Sequence, residues 1–169
     1  MQNQKIIIGI GGNIKSNDGS HPTLVGKKAI HFLENYSIQV TKQSSWYESE
    51  PIPKSDQPNY FNCIVFAKTT LNELDVLNSL HDIEYILGRR RNVINEERVI
   101  DLDLIDYSNK ILENKDIIIP HPRAHKRRFV MEPLAELDKN WVHPILKKNV
   151  DEILKKLNNQ NVNIINKKL

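Results

Sequence analysis

The pattern of apolar and polar positions divides the first 107 residues into six elements. Four runs rich in β-branched and aromatic residues predict strands, at residues 5–13, 37–49, 60–70 and 98–107. Apolar residues recurring at steps of three and four predict helices at residues 21–36 and 71–88, and the second helix should stop at Gly88. The resulting order, βαββαβ, predicts an α+β ferredoxin-like sandwich with both helices on one face of an antiparallel sheet.

The chain beyond residue 108 is interpreted as a C-terminal extension of this sandwich. Its pattern predicts a short strand or loop at residues 116–125, a helix near residues 127–137 and a last amphipathic helix at residues 150–159. We expect the lysine-rich tail, residues 161–169, to fray. A chain of 169 residues is long enough to bury a real core, so a single domain over residues 1–169 is predicted.

Composition and the single cysteine limit the class of protein. The sequence is 39% hydrophobic and 27% charged and contains no apolar stretch that could cross a membrane. Its first residues run directly into a strand, without the basic region and cleavage site of a signal peptide. Cys63 cannot form an internal disulfide and is expected to be a buried, unreactive thiol. These features predict a cytoplasmic protein without a membrane partner.

The net charge of +3 is unevenly distributed along the chain. Cations concentrate at residues 88–98 (GRRRNVINEER) and 121–128 (HPRAHKRR), on either side of the strand that carries Asp101 and Asp103. Clustered arginines suit phosphate-bearing ligands, because the planar guanidinium binds oxyanions through two hydrogen bonds. Either cluster alone is equally well explained as a solvated basic surface.

Asp101 and Asp103 interrupt an otherwise apolar strand and are the clearest chemical signal. Side chains alternate along a strand, which places these residues on one face: Val99, Asp101, Asp103 and Ile105. The opposite face enters the core: Ile100, Leu102 and Leu104. Two carboxylates at Cα positions roughly 6.6–7 Å apart can converge on one or two hard cations. Mg²⁺ fits best because it completes its shell with water and phosphates, whereas zinc would need histidine or cysteine ligands nearby. The alternative is ordinary surface charge on an edge strand.

Three further motifs are weak signals when each is taken alone. The glycines of residues 9–13 (GIGGN) permit a sharp turn or the close approach of a flat ligand. Tyr60 and Asn62 face the same way at the start of a strand, and a stacking ring beside an amide suits a flat heterocycle. His121 lies among arginines that precede Phe129. Each motif also has a purely structural explanation. The glycines would form a turn, Tyr60 and Asn62 would belong to the packing and turn of a sheet, and His121 would be a structural histidine.

Taken together, the motifs resemble the 6-hydroxymethyl-7,8-dihydropterin pyrophosphokinases of folate biosynthesis. The matching pieces are residues 11–13, 57–62, 83–91, 98–103 and 120–129. Any one piece is unspecific, but five in the same order across residues 6–144 form a specific signature. The loop before Arg98 departs from the family, because it has Asn95, Glu96 and Glu97 where a tryptophan-containing sequence is usual.

The resemblance implies an enzyme that transfers the terminal pyrophosphate of ATP to the hydroxymethyl group of the pterin and releases AMP. ATP would be the co-substrate, and two Mg²⁺ ions would be held by Asp101 and Asp103. The implied catalytic residues are Arg89, Arg98, Asp101 and Asp103. The implied ATP-binding residues are Arg91, Arg98, His121 and Arg127.

For the second substrate, the resemblance implies a pterin ring held between Tyr60 and Phe129. Asn62 would hydrogen-bond the edge of the ring, and the backbone around Ser49 and Ile52 would complete the pocket. The implied partners are these small molecules, without nucleic acid or membrane, and the protein is expected to be a monomer.

Two other functions are compatible with the same residues. A ferredoxin-like RNA-binding module would use the basic loops and sheet aromatics, although Asp101 and Asp103 would then repel phosphates. A different metal-dependent nucleotidyltransferase would also use paired aspartates. Product analysis separates these enzymes, because pyrophosphoryl transfer releases AMP and nucleotidyl transfer releases pyrophosphate.

Overall fold

The structure is a computed structural model that describes residues 2–90, 96–158 and 160–165. Within these residues, six strands form one antiparallel sheet: β1 (Gln4–Gly12), β2 (Ile38–Gln43), β3 (Tyr47–Ser49), β4 (Tyr60–Thr69), β5 (Asp101–Tyr107) and β8 (Val162–Ile164). Their order in the sheet is β5-β1-β4-β3-β8, with β2 also paired to β4. The predicted α+β ferredoxin-like arrangement is confirmed.

Helices α1 (Pro22–Asn35) and α2 (Glu73–Ile86) cover one face of the sheet, as predicted. The Asn72 side chain caps α2 by accepting a hydrogen bond from the backbone N–H of Asp75. The chain leaves α2 through Gly88, whose φ of +94° is strain-free only for glycine. The largest buried side chains of this first core include Ile6, Ile8, Ile10, Leu33, Leu80 and Ile83.

The opposite face of the sheet is covered by the C-terminal extension, through α3 (Arg128–Asp138) and α4 (Val150–Leu154). Alternation along the strands supplies this second core, which includes Ile7, Ile64, Ile105, Met131, Leu134 and Val150. A small hairpin, β6 (Leu112–Glu113) and β7 (Ile118–Ile119), follows β5. The extension is therefore the second packing layer of the sandwich. Among the described residues, no helix combines the length and apolar content needed to cross a membrane.

The predicted strand over residues 37–49 is wrong, because it is two strands, β2 and β3, which both pair with β4. The interruption lies at Ser44, whose hydroxyl accepts a hydrogen bond from the Ile64 backbone N–H at 2.9 Å. A side-chain oxygen thus takes a place that a backbone carbonyl would occupy in a continuous ladder. The prediction for Cys63 is confirmed, since it is 1% exposed and burial raises the pKa of its thiol.

Other boundary predictions are also wrong. The last helix ends at Leu154, because the chain turns and the Leu157 carbonyl accepts a hydrogen bond from Arg128 at 3.0 Å. The tail from residue 161 does not fray throughout, because β8 pairs with β3; residues 166–169 lie outside the described residues. Val99 precedes β5 and packs against the first core, so it does not share the face of the aspartates.

Candidate active site

Glycines of β1 lie between β4, which carries Asn62, and β5, which carries Asp101 and Asp103. Gly9 pairs with Asp103, and Gly11 pairs with Asp101 on one side and with Asn62 on the other. A Cβ atom at Gly11 would lie 2.7 Å from Asn62 Oδ1, so a side chain there would displace the amide. The glycine motif therefore keeps the surface between Asp101 and Asn62 open, a role that the sequence alone did not distinguish from a turn.

Asp101 is held by two arginines. Arg89 Nη1 donates to Asp101 Oδ1, and Arg98 Nη1 donates to Asp101 Oδ2 at 2.8 Å. Burial opposes ionisation of this carboxyl, but the two guanidinium groups outweigh burial and hold its pKa below the ordinary value. Asp101 is therefore a carboxylate whose charge is already compensated by protein groups.

Glu84 supports this arrangement from α2 and was not predicted. Its side chain is 2% exposed, and Oε1 accepts hydrogen bonds from Arg89 Nη1 at 2.8 Å and from the Leu102 backbone N–H at 2.7 Å. Leu102 lies between the two aspartates, so Glu84 fixes both Arg89 and the strand that carries them. The sequence did offer a signal for this role, because Glu84 is a charged residue next to Ile83 on the buried side of α2.

Asp103 has looser partners than Asp101. Arg127 Nη1 lies 3.7 Å and His121 Nε2 lies 3.8 Å from its carboxylate oxygens. Partial burial and the negative charge of Asp101 raise the pKa of Asp103 to about 7. Burial and the positive charges of Arg127 and Arg123 lower the pKa of His121 to about 4, so this imidazole is neutral at pH 7. Asp103 is thus the carboxylate with more freedom to accept a new cationic ligand.

The two carboxylates suit a metal ion whose remaining ligands are water and substrate phosphates. No group of three or more His, Cys, Asp or Glu side chains is arranged to hold a metal ion within the part of the chain that the structure describes. Asp101 and Asp103 alone offer two carboxylates from one strand face. Mg²⁺ commonly binds through one or two carboxylates and completes its shell with water and substrate phosphates, whereas a closed zinc site needs four protein ligands.

A narrow slot, which contains aromatic and amide side chains, adjoins the charged residues. It has a volume of about 60 Å³, and its lining includes Glu50, Ile52, Tyr60, Asn62 and Phe129. Asn62 is 5% exposed, and its Nδ2 donates to Ser49 Oγ at 2.9 Å. Ser49 is therefore behind Asn62 and orients the amide, and it is not among the residues that line the slot. The Arg98 guanidinium lies 5.7 Å from the Tyr60 ring centroid, and that of Arg127 lies 5.5 Å from the Phe129 ring.

Asn13 connects the slot with Arg98 and was missed as an individual residue. Its buried Oδ1 accepts from the Arg98 backbone N–H at 2.8 Å, and its Nδ2 donates to Gln57 Oε1 and to the Pro58 carbonyl at 3.2 Å each. The Tyr60 hydroxyl donates to the same Gln57 oxygen at 3.2 Å. The Asn13 amide thus joins the end of β1 to Arg98 and to the Gln57–Pro58 loop. This role accounts for an asparagine directly after the glycines.

The predicted residues converge on two adjoining cavities. A charged cavity of about 420 Å³ is lined by six of them: Arg89, Arg98, Asp101, Asp103, His121 and Arg127. The slot is lined by Ile52, Tyr60, Asn62 and Phe129. Four residues border both spaces: Arg98, Asp101, Asp103 and Arg127. Arg91 and most of the loop before Arg98 lie outside the described residues.

Comparison with known proteins gives a consistent result. A family model described as 7,8-dihydro-6-hydroxymethylpterin-pyrophosphokinase (HPPK) matches residues 7–139. The 2-amino-4-hydroxy-6-hydroxymethyldihydropteridine pyrophosphokinase of Bacillus subtilis is 37% identical over 122 residues, covering 72% of this chain and 73% of that protein. The Haemophilus influenzae protein of the same name is 40% identical over 117 residues, covering 69% of this chain and 72% of that protein.

Some similar proteins are much longer than this chain. The folic acid synthesis protein fol1 of Pneumocystis carinii is 34% identical over 145 residues, which cover 86% of this chain but 19% of that protein. A crystal structure of Plasmodium falciparum HPPK-DHPS has a TM-score of 0.68 at 15% identity and covers 92% of this chain and 43% of that one. At this identity the structural likeness shows the fold alone.

Proposed function

Because the chain belongs to the 7,8-dihydro-6-hydroxymethylpterin-pyrophosphokinase family, we propose that it transfers the terminal pyrophosphate of ATP to the hydroxymethyl group of 6-hydroxymethyl-7,8-dihydropterin, with release of AMP. The observation that carries this proposal is that a charged cavity and a slot lined by Tyr60, Asn62 and Phe129 meet at Asp101 and Asp103. A reaction between a triphosphate and a flat heterocycle needs such a junction. The family match gives no support to an RNA-binding module or to a nucleotidyltransferase.

In this proposal the charged cavity binds the triphosphate. Asp101 and Asp103 hold two Mg²⁺ ions together with the phosphates, and the ions, when bound, supply charge neutralisation of the phosphate oxygens. Arg89, Arg98 and Arg127 contact the triphosphate, since each lines the cavity with its guanidinium near an aspartate. His121, which is neutral at pH 7, donates a hydrogen bond, and Arg91 adds a further cation.

The slot binds the pterin. Tyr60 and Phe129 stack on the two faces of the ring, and Asn62, fixed by Ser49, hydrogen-bonds its edge. The backbone near Ile52 closes the pocket. This assignment is supported by the position of the slot, because the slot and the charged cavity share Arg98, Asp101, Asp103 and Arg127 in their linings.

The reaction needs no covalent intermediate on the protein. The hydroxymethyl oxygen attacks the β-phosphorus of ATP. The bond between the β-phosphorus and the oxygen that bridges it to the α-phosphorus breaks, and AMP leaves with that oxygen. The hydroxyl proton passes to Asp103 or to water. Positioning and compensation of the developing phosphate charge supply the rate enhancement.

A coupled assay of AMP formed from ATP and 6-hydroxymethyl-7,8-dihydropterin tests the proposal. We expect AMP and the pyrophosphorylated pterin in equal amounts, only when pterin and Mg²⁺ are both present. Release of pyrophosphate instead of AMP would indicate nucleotidyl transfer. AMP formation that continues after chelation of Mg²⁺ would contradict the assigned metal.

We extend the proposal to the setting of the enzyme. Residues 1–169 act as one domain and as a monomer in the cytoplasm, with ATP and the pterin as partners and without nucleic acid or membrane. The buried, unpaired Cys63 supports a reducing compartment.

A further inference from the structure

The C-terminal segment returns to the site beyond the region that the family model matches, which ends at residue 139. Strand β8 pairs with β3, so that Val162 lies opposite Ser49, and the Ile165 N–H donates to the Trp46 carbonyl at 2.9 Å. On the other side of the segment, Arg128 Nη1 donates to the Leu157 carbonyl at 3.0 Å. The segment is therefore fixed at both ends beside the slot.

Two described residues of this segment contact the slot walls. The exposed Asn161 donates from Nδ2 to Glu50 Oε1 at 3.4 Å, whereas Gln160 bonds to main-chain groups of the walls. Gln160 is 7% exposed, its Nε2 donates to the Glu50 carbonyl at 2.8 Å, and its Oε1 accepts from the Phe129 backbone N–H at 3.2 Å. Glu50 follows β3 and Phe129 lies in the first turn of α3, and both residues line the slot. One buried amide thus joins two separate wall elements through their main chains.

The hydrogen bond to Phe129 replaces a missing helix cap. The first N–H groups of a helix have no partner within the helix and need an acceptor. Arg127, at the N-cap of α3, makes no capping hydrogen bond with its side chain. Gln160 supplies the acceptor from a residue far away in the sequence, so the orientation of the α3 start depends on the tail.

We propose that Gln160 is a positioning residue for the heterocycle slot, which sets the separation of Phe129 from the loop that carries Glu50 and Ile52. This inference rests on the proposed function, since the slot is the proposed pterin site. A glutamine is required because one end of the side chain must donate and the other accept. A glutamate would keep the acceptor but turn an oxygen towards the Glu50 carbonyl.

Steady-state kinetics of Gln160→Ala and Gln160→Glu test this role. Loss of the donor bond in Gln160→Glu, or of both bonds in Gln160→Ala, should raise the KM for the pterin by at least roughly three- to tenfold, while the KM for ATP changes less than twofold. Asn163→Ala, which removes an exposed amide from β8 in the same segment, is the matched control and should behave as the wild type. Equal changes in both KM values, or a wild-type pterin KM in the Gln160 variants, would overturn the proposal. If Gln160→Ala does not fold, the isosteric Gln160→Glu carries the kinetic test.

Amide hydrogen exchange separates this inference from the proposed function. In Gln160→Ala the Phe129 amide should exchange at least roughly tenfold faster than in the wild type, because its acceptor is gone, whereas Asn163→Ala leaves it unchanged. Unchanged protection of Phe129 would overturn the positioning role whatever the enzyme does. A wild-type protein that forms no AMP, but shows the expected exchange, would overturn the proposed function alone.

Discussion

The two halves of the site are stabilised by different interactions. In the charged cavity, Asp101 is paired with Arg89 and Arg98, and Asp103 lies near Arg127. Behind the slot walls, neutral amides bond to neutral groups, as in the pairs Asn62 with Ser49, Asn13 with Gln57 and Gln160 with the Phe129 N–H. One half depends on charge and the other on hydrogen-bond direction.

Because of this difference, we expect the charged half to determine the affinity for the phosphates and the slot to determine which ring is recognised. An arginine can exchange a carboxylate oxygen for a phosphate oxygen without losing its hydrogen bond, so the ion pairs of the charged half can rearrange when ligands arrive. A buried amide that loses its partner costs about 1–3 kcal/mol, so the slot has little freedom to rearrange. We therefore expect substitutions in the charged half to affect turnover and substitutions in the slot to affect recognition of the ring.

The largest effect is expected from Asp101→Asn and Asp103→Asn. Each change keeps the shape of the side chain but removes the charge proposed to hold Mg²⁺, and turnover should fall by at least about 10²–10³-fold. Measurement of kcat for both variants, with circular dichroism to verify folding, checks the prediction. Asp82→Asn, which changes an exposed aspartate on α2, is the control. Near-normal turnover in either site variant would exclude the metal-binding role.

The aspartate strand could be predicted because its information is local. Alternation alone placed Asp101 and Asp103 together on one face, and the first core followed from residues such as Leu80 and Ile83, which recur at helical spacing. The motifs then selected ten of the residues that line the two cavities.

The supporting residues could not be predicted in the same way, because their partners are distant in sequence. Asn13 bonds to the backbone of Arg98, Glu84 to the backbone of Leu102 and Gln160 to that of Phe129. A backbone N–H carries no sequence signal, since every residue except proline has one. The tail strand was missed for the same reason, because its pairing with β3 depends on an unoccupied strand edge.

The next largest effect is expected from Glu84→Gln. This change removes the negative charge of a carboxylate that pairs with Arg89, and hydrogen bonds to charged groups contribute about 1.5–3 kcal/mol, so kcat should fall roughly ten- to hundredfold. The pterin KM should remain within about twofold of the wild type, because Glu84 is not among the residues that line the slot. Kinetics are measured together with the midpoint of thermal unfolding, and Glu34→Gln on the exposed face of α1 is the control. A folded variant with wild-type kcat would show that Glu84 serves stability alone.

A smaller effect, confined to the other half, is expected from Phe129→Ala. Removal of one stacking ring should weaken pterin binding roughly tenfold, with a smaller change for ATP. Titration calorimetry with each ligand measures both affinities. The control is Phe61→Ala, since the Phe61 ring packs at 4.5 Å from the His21 ring and is not among the slot-lining residues. Equal losses of affinity for the two ligands would argue against a stacking role.

The smallest effect needs no substitution and compares the two halves directly. Raising the ionic strength from about 0.1 M to about 1 M shortens the Debye length from about 10 Å to about 3 Å. Attraction between a triphosphate and the arginines of the charged cavity is then screened, so the KM for ATP should rise several-fold. The KM for the pterin should change little, because amide hydrogen bonds and stacking are not screened in this way. Both KM values are measured at constant free Mg²⁺, and the series is repeated with sodium acetate in place of sodium chloride to separate screening from chloride binding. If the pterin KM rose in parallel with that of ATP, ring binding in the slot would depend on charge as much as phosphate binding in the cavity does. The division of the site into a half that depends on charge and a half that depends on hydrogen bonds and stacking would then be wrong.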